Sequence, residues 1–164
     1  MNSKAIYPGT FDPVTFGHID LIKRAHAIFP QLIVAVAHNP QKKPLFSVQE
    51  RLAMIKQVTK GMSGVRVVDF KGLMVHFART QKIHVIVRGL RMISDFEYEF
   101  QMALTNRKLA QDVETIFLMP HESYSYVSSK LLKEAAFLGA DLSKFLPKFV
   151  EQTLKKRIGR IVSR

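Results

Sequence analysis

Short β-branched runs alternate with longer segments of helical period along this chain, and that alternation restricts the folds open to it. Lys4 to Tyr7, Leu32 to Ala37, Val65 to Phe70, His84 to Val87 and Thr115 to Met119 read as strands. Helical periods run over Gly17 to Phe29, Val48 to Lys60, Met74 to Lys82, Asp95 to Gln111 and Ser128 to Leu138, with a terminal helix from about Pro147. Strand-helix alternation with right-handed crossovers predicts a parallel, doubly wound five-stranded α/β sheet. At 164 residues, 47% of them apolar, the chain suits one domain spanning residues 1–164, C-terminal helices included.

Several boundaries carry local signals. Ser47-Val48-Gln49-Glu50 and Ser94-Asp95-Phe96-Glu97 fit the Ser-x-x-Glu capping box, in which hydroxyl and carboxylate satisfy N–H groups of a first helical turn. Gly139 suits a helix stop and Pro147 a first helical position.

In a parallel sheet, ligands bind beyond the carboxyl ends of the strands, where strand order reverses. The unusual residues fall there. Pro8 to Pro13 and His18 follow the first strand; His38, Lys42 and Lys43 the second; Arg88-Gly89-Leu90-Arg91 the fourth; and Tyr124 to Ser129 the fifth. In Gly9-Thr10-Phe11-Asp12-Pro13-Val14-Thr15-Phe16-Gly17-His18, the glycines allow close backbone approach and the threonines offer hydroxyls. The segment opens a helix whose N-terminal N–H groups favour anions. An isolated Gly-His would read as a polar residue near a helix start, but the full segment is more specific than that. Arg88 and Arg91 flank Gly89 so that one guanidinium could reach each of two phosphorylated ligands, the alternative being a surface ion pair with Asp95 or Glu97; Glu99 is equally an exposed carboxylate paired with a nearby base.

Composition narrows the chemistry. The absence of cysteine removes disulfides, thiolate metal sites and a cysteine nucleophile. Met1-Asn2-Ser3-Lys4 leads directly into a strand-length apolar run, with no signal-peptide core and no stretch long enough to cross a bilayer. A cytoplasmic protein without a membrane partner is expected. The net charge of +12 points to anionic partners. Lys155, Lys156, Arg157, Arg160 and Arg164 lack interleaved aromatics, so they read as a solvated face, and no nucleic-acid partner is expected.

Thr15-Phe16-Gly17-His18 and Val127-Ser128-Ser129 resemble the two signatures of the nucleotidylyltransferase superfamily. Tyr7 to Pro13, Arg88 to Arg91 and Asp95 to Glu99 are similar to its phosphopantetheine branch, in order and over nearly the whole chain. Lys130 stands where the superfamily often has a hydroxyl residue, and Lys133 where many members carry Arg. The resemblance implies a Rossmann-like nucleotidyltransferase fold and adenylyl transfer from ATP to 4'-phosphopantetheine, giving dephospho-coenzyme A and pyrophosphate. It implies catalytic roles for His18, Lys42 and Arg91. It assigns nucleotide contacts to Thr10, Phe11, His18, Gly89, Leu90, Arg91, Glu99, Tyr124, Ser125, Tyr126, Val127, Ser128, Ser129 and Lys130, and acceptor contacts to Thr10, Lys42, Met74 and Arg88. It further implies Mg2+ carried with ATP and no protein metal ligand, a homohexamer, and coenzyme A as a feedback inhibitor.

Overall fold

A computed structural model describes residues 3–39, 41 and 43–162. The chain runs β1 (Lys4–Gly9), α1 (Phe16–Ile28), β2 (Gln31–Ala37), α2 (Val48–Val58), β3 (Val65–Phe70), α3 (Met74–Thr80), β4 (Val85–Gly89), α4 (Ile93–Leu109), β5 (Glu114–Leu118), α5 (Glu122–Ser125), α6 (Ser129–Phe137) and α7 (Lys148–Val162). The strands form one sheet in the order β3-β2-β1-β4-β5, every pair parallel. Strand order reverses between β1 and β4, so the crevice that such a sheet offers to a ligand lies beyond Gly9 and Gly89.

Alternating side chains divide the core. Ala5, Tyr7, Leu32, Val34, Val36 and Val87 join α1, α2, α6 and α7 on one face, while Ile6, Ile33, Ala35 and Ile86 join α3 and the Ala110–Val113 turn on the other. No helix among the described residues is long and apolar enough to cross a membrane.

The expected strands are all present, but β1 and β4 each run two residues further, through Pro8-Gly9 and Arg88-Gly89. Pro8 is tolerated because of where it faces. Ile6 pairs with Ile86, and Pro8, two residues on, turns its carbonyl the same way without an N–H to continue the ladder. Arg88 Nη1 takes that carbonyl at 2.9 Å instead, so the two strands part where the crevice begins.

Ser47 and Glu50 form the expected capping box. The expected Ser94–Glu97 box is not used: α4 starts earlier, with extended Met92 as its N-cap, and Asp95 at N3 is held by Arg91. Gly139 follows α6 at φ 80°, where a side chain would be strained. Pro147 precedes α7, one residue earlier than expected, and its carbonyl accepts from Val150 and Glu151.

Candidate active site

The floor of the site is built around a glycine. A Cβ on Gly9 would lie 2.7 Å from the ring of Phe11, which is buried and held at φ 51°. The Phe11 ring meets His18 edge-on at 5.0 Å between centroids and Tyr7 at 5.5 Å. The sequence Gly9-Thr10-Phe11 thus folds an aromatic wedge under the imidazole.

His18 is the third residue of α1, and its ring takes the place of the usual Glu in a capping box. Thr15 Oγ1 accepts from the His18 amide at 3.3 Å, while His18 Nδ1 accepts from the Thr15 amide at 3.1 Å. With Nδ1 an acceptor, the neutral ring carries its proton on Nε2. Burial, then the charges of Arg91 and Arg88, lower the His18 pKa to about 4, so the ring is neutral at pH 7. One ring nitrogen therefore caps the helix, and the other carries the proton.

Two arginines from the β4–α4 connection face this floor. Arg88 donates through Nε and Nη2 to the two Glu99 oxygens at 2.7 and 2.5 Å, and through Nη1 to Pro8. Arg91 donates to both Asp95 oxygens at 2.9 and 3.1 Å and to the Val127 carbonyl at 2.8 Å. A guanidinium has five N–H groups, so each keeps two beyond these bonds. Glu99 is buried, not exposed, and is paired with Arg88.

These groups enclose a cleft of about 530 Å³. Of the residues singled out in the sequence, Thr10, Phe11, His18, Arg88, Gly89, Arg91, Glu99, Tyr124, Val127, Ser128, Ser129 and Lys130 line it. Leu90 is turned to β5, its amide bonded to the Leu118 carbonyl. Ser125 closes α5 on the Glu122 carbonyl, and Tyr126 packs on Phe145. Met74 leans on the core cluster of the opposite face. Those four are not among the cleft lining, and Lys42 lies outside the described residues. His121 caps α5, with Nδ1 accepting from the Ser123 amide.

Residues 6–135 match the sequence profile of the cytidylyltransferase-like family. A phosphopantetheine adenylyltransferase from Caldanaerobacter subterraneus subsp. tengcongensis is 56% identical over 153 residues, 93% of this chain and 96% of that protein. This chain belongs to the phosphopantetheine adenylyltransferase family.

Solved structures share the fold at much lower identity. The nicotinic acid mononucleotide adenylyltransferase of Plasmodium falciparum, complexed with NaAD, superposes with a TM-score of 0.70 at 14% identity, covering 98% of this chain and 96% of that one. A lipopolysaccharide core biosynthesis protein from Thermoplasma volcanium gives 0.56 at 22% identity, over 73% of this chain and 98% of that one.

In this phosphopantetheine adenylyltransferase family member the cleft also holds Asp12, which sequence reasoning takes only as part of the Tyr7–Pro13 motif, with no role of its own. Asp12 is buried, accepting from the Leu45 and Phe46 amides at 2.9 Å each and from Lys133 Nζ at 2.5 Å. Lys133 therefore carries a carboxylate partner at the cleft wall. Asp in a Gly-rich turn reads locally as a turn former, and its partners lie 33 to 121 positions away, so no local signal marks it.

Proposed function

We propose that this chain catalyses direct in-line transfer of the adenylyl group of ATP to the phosphate of 4'-phosphopantetheine, within coenzyme A biosynthesis, with His18 stabilising the transition state. One observation carries the mechanistic part: the Thr15 cap fixes His18 as a neutral imidazole with its Nε2–H left for the cleft. The family supplies the substrates.

A phosphate monoester has a second pKa of about 6, so the acceptor arrives largely dianionic at neutral pH and needs no protein base. Its oxygen forms a bond to the α-phosphorus as the bond to the bridging β-oxygen breaks, and the electron pair leaves with pyrophosphate. Charge grows on the α-phosphate oxygens, where a fixed donor at the N-terminus of α1 has its largest effect. Among the described residues, the cleft lining holds four cations, Arg88, Arg91, Lys130 and Lys133, against three carboxylates, Asp12, Asp95 and Glu99. That balance favours bringing two anions together. Arg88 is assigned to the acceptor, Arg91 and the Val127–Lys130 segment to the nucleotide, and Lys42 to the reacting phosphates.

Magnesium is assigned to ATP. The three cleft carboxylates are each committed to a cation, and no group of three or more His, Cys, Asp or Glu suited to a metal occurs among the described residues. Magnesium bound to phosphate oxygens and water fits that donor set, and its chemistry is to draw charge from the triphosphate. The same reading places the enzyme in the cytoplasm as a homohexamer under feedback inhibition by coenzyme A. The largely exposed α4, with Ile93, Phe96, Tyr98, Phe100 and Leu104 on its surface, supports the assembly.

Pyrophosphate release from ATP is measured with 4'-phosphopantetheine and, separately, with nicotinamide mononucleotide. Turnover with the first is expected; turnover with only the second overturns the acceptor assignment.

A further inference from the structure

Arg51 is 1% exposed, an unusual place for a guanidinium. It lies in α2 and does not line the cleft. Its Nη1 donates to the Thr10 carbonyl at 2.7 Å and to the Ala37 carbonyl at 3.1 Å, and its Nε donates to the Phe46 carbonyl at 3.1 Å. Thr10 follows β1, Ala37 ends β2, and Phe46 leads into α2, so one side chain ties the exits of two neighbouring strands to the lead-in of its own helix.

Two consequences follow from ordinary electrostatics. Carbonyl oxygens at strand exits carry partial negative charge toward the edge where a triphosphate has to lie, and Arg51 draws the Thr10 and Ala37 oxygens onto a buried cation instead. The hold is also reciprocal. Asp12, from the Thr10 turn, takes the Leu45 and Phe46 amides, while Arg51, from α2, takes the Phe46 and Thr10 carbonyls. The turn and the α2 lead-in are therefore clasped from both sides, and neither can move without breaking a charge-assisted bond.

We infer that Arg51 is a positioning residue for adenylyl transfer, fixing the Thr10 turn against the exit of β2 so that the turn meets the phosphates in one geometry. The inference rests on the adenylyl-transfer reading. The guanidinium suits this task because it donates from two rigidly spaced nitrogens, whereas a lysine ammonium would have to reach all three carbonyls from one nitrogen on a flexible stem.

The test is a double-mutant cycle between Arg51→Lys and Thr10→Val, with Leu154→Ala in α7 as a core-destabilised control and Arg51→Gln as a second, planar variant should the lysine form fail to fold. kcat, KM for each substrate, ATP affinity by calorimetry and thermal unfolding are measured on all. Arg51→Lys is expected to lower kcat about tenfold or more and ATP affinity several-fold, since small misplacements of a binding turn cost that much. In the Thr10→Val background, which keeps the carbonyl that Arg51 holds but lacks the hydroxyl that the clasp positions, the same change is expected to have less than about a twofold further effect. Leu154→Ala is expected to melt lower yet keep its kcat.

Wild-type kcat in the folded Arg51 variants, an equal effect in both Thr10 backgrounds, or an equal loss in the Leu154 control overturns the inference. A wild type that releases no pyrophosphate rejects the adenylyl-transfer reading instead, and the cycle on ATP affinity then decides the Arg51 claim alone.

Discussion

At the scale of single residues, the Thr15 cap determines what His18 can do. An acceptor Nδ1 and a depressed pKa leave one fixed donor, and removing such a donor costs about 3 kcal/mol or more in the transition state. His18→Ala is therefore expected to lower kcat at least about a hundredfold while ATP affinity, measured by calorimetry, changes far less. Proton uptake gives an independent check. The folded value of about 4 lies below the ordinary 6.5, so as pH falls from 6.5 toward 4 the unfolded chain binds this proton first. The stability that His18 lends is fully present above 6.5 and lost on the way down to about 4, and His18→Gln should flatten that part of the denaturation profile. The acidic limb of the rate, in contrast, belongs to the acceptor phosphate, near its pKa of about 6, and should persist with the ring neutral throughout. An imidazole titrating at 6.5 by NMR would contradict both statements. The residue was legible from Thr15-Phe16-Gly17-His18. Its tautomer was not, because that depends on the helix starting at Phe16, and its support was not, because Phe11 reaches it only through the backbone turn at Gly9.

At the scale of elements, the sheet was legible because β-branched runs and helical periods alternate without ambiguity, and Ser47–Glu50 capped α2 as its pattern required. The start of α4 and the whole of α5 were not. Ser94-Asp95-Phe96-Glu97 carries a correct capping pattern, but Arg91 engages Asp95 and the first turn forms around that pair. The four-residue α5 is too short to show a period and is fixed from outside, by the His121 amide on Asp20 of α1. The pairing of β4 with α4 carries its own expectation. Arg88→Ala leaves Glu99 buried without its cation, which costs about 3 kcal/mol, so this variant is destabilised as well as impaired toward the acceptor. Adding Glu99→Gln removes the stranded charge. Urea denaturation should show the double variant more stable than Arg88→Ala alone, and a double variant that is less stable would mean that Glu99 has another partner.

At the scale of the whole molecule, α4 buries only Glu99 and exposes Phe96, Phe100 and Leu104, with Ile93 at 89%. Apolar surface gathered on one helix marks an association face. The protein is expected to sediment as a hexamer at micromolar concentration and Phe96→Asp as smaller species; a wild-type monomer by equilibrium sedimentation would reject the assembly without touching the chemistry. The helical face was visible in the sequence only as a run of aromatics, since periodicity alone does not distinguish a core stripe from a subunit contact. The bonds that shape the cleft have a different reach. Arg88 to Pro8, Ser129 to Pro13 and Lys133 to Asp12 join positions 80, 116 and 121 apart. During synthesis, then, the phosphate turn leaves the ribosome long before the residues that complete it, and such long-range closure comes late in folding. A nascent chain stalled before α6 carries all five strands but lacks Ser129 and Lys133, so two of the three bonds that close the cleft cannot yet form.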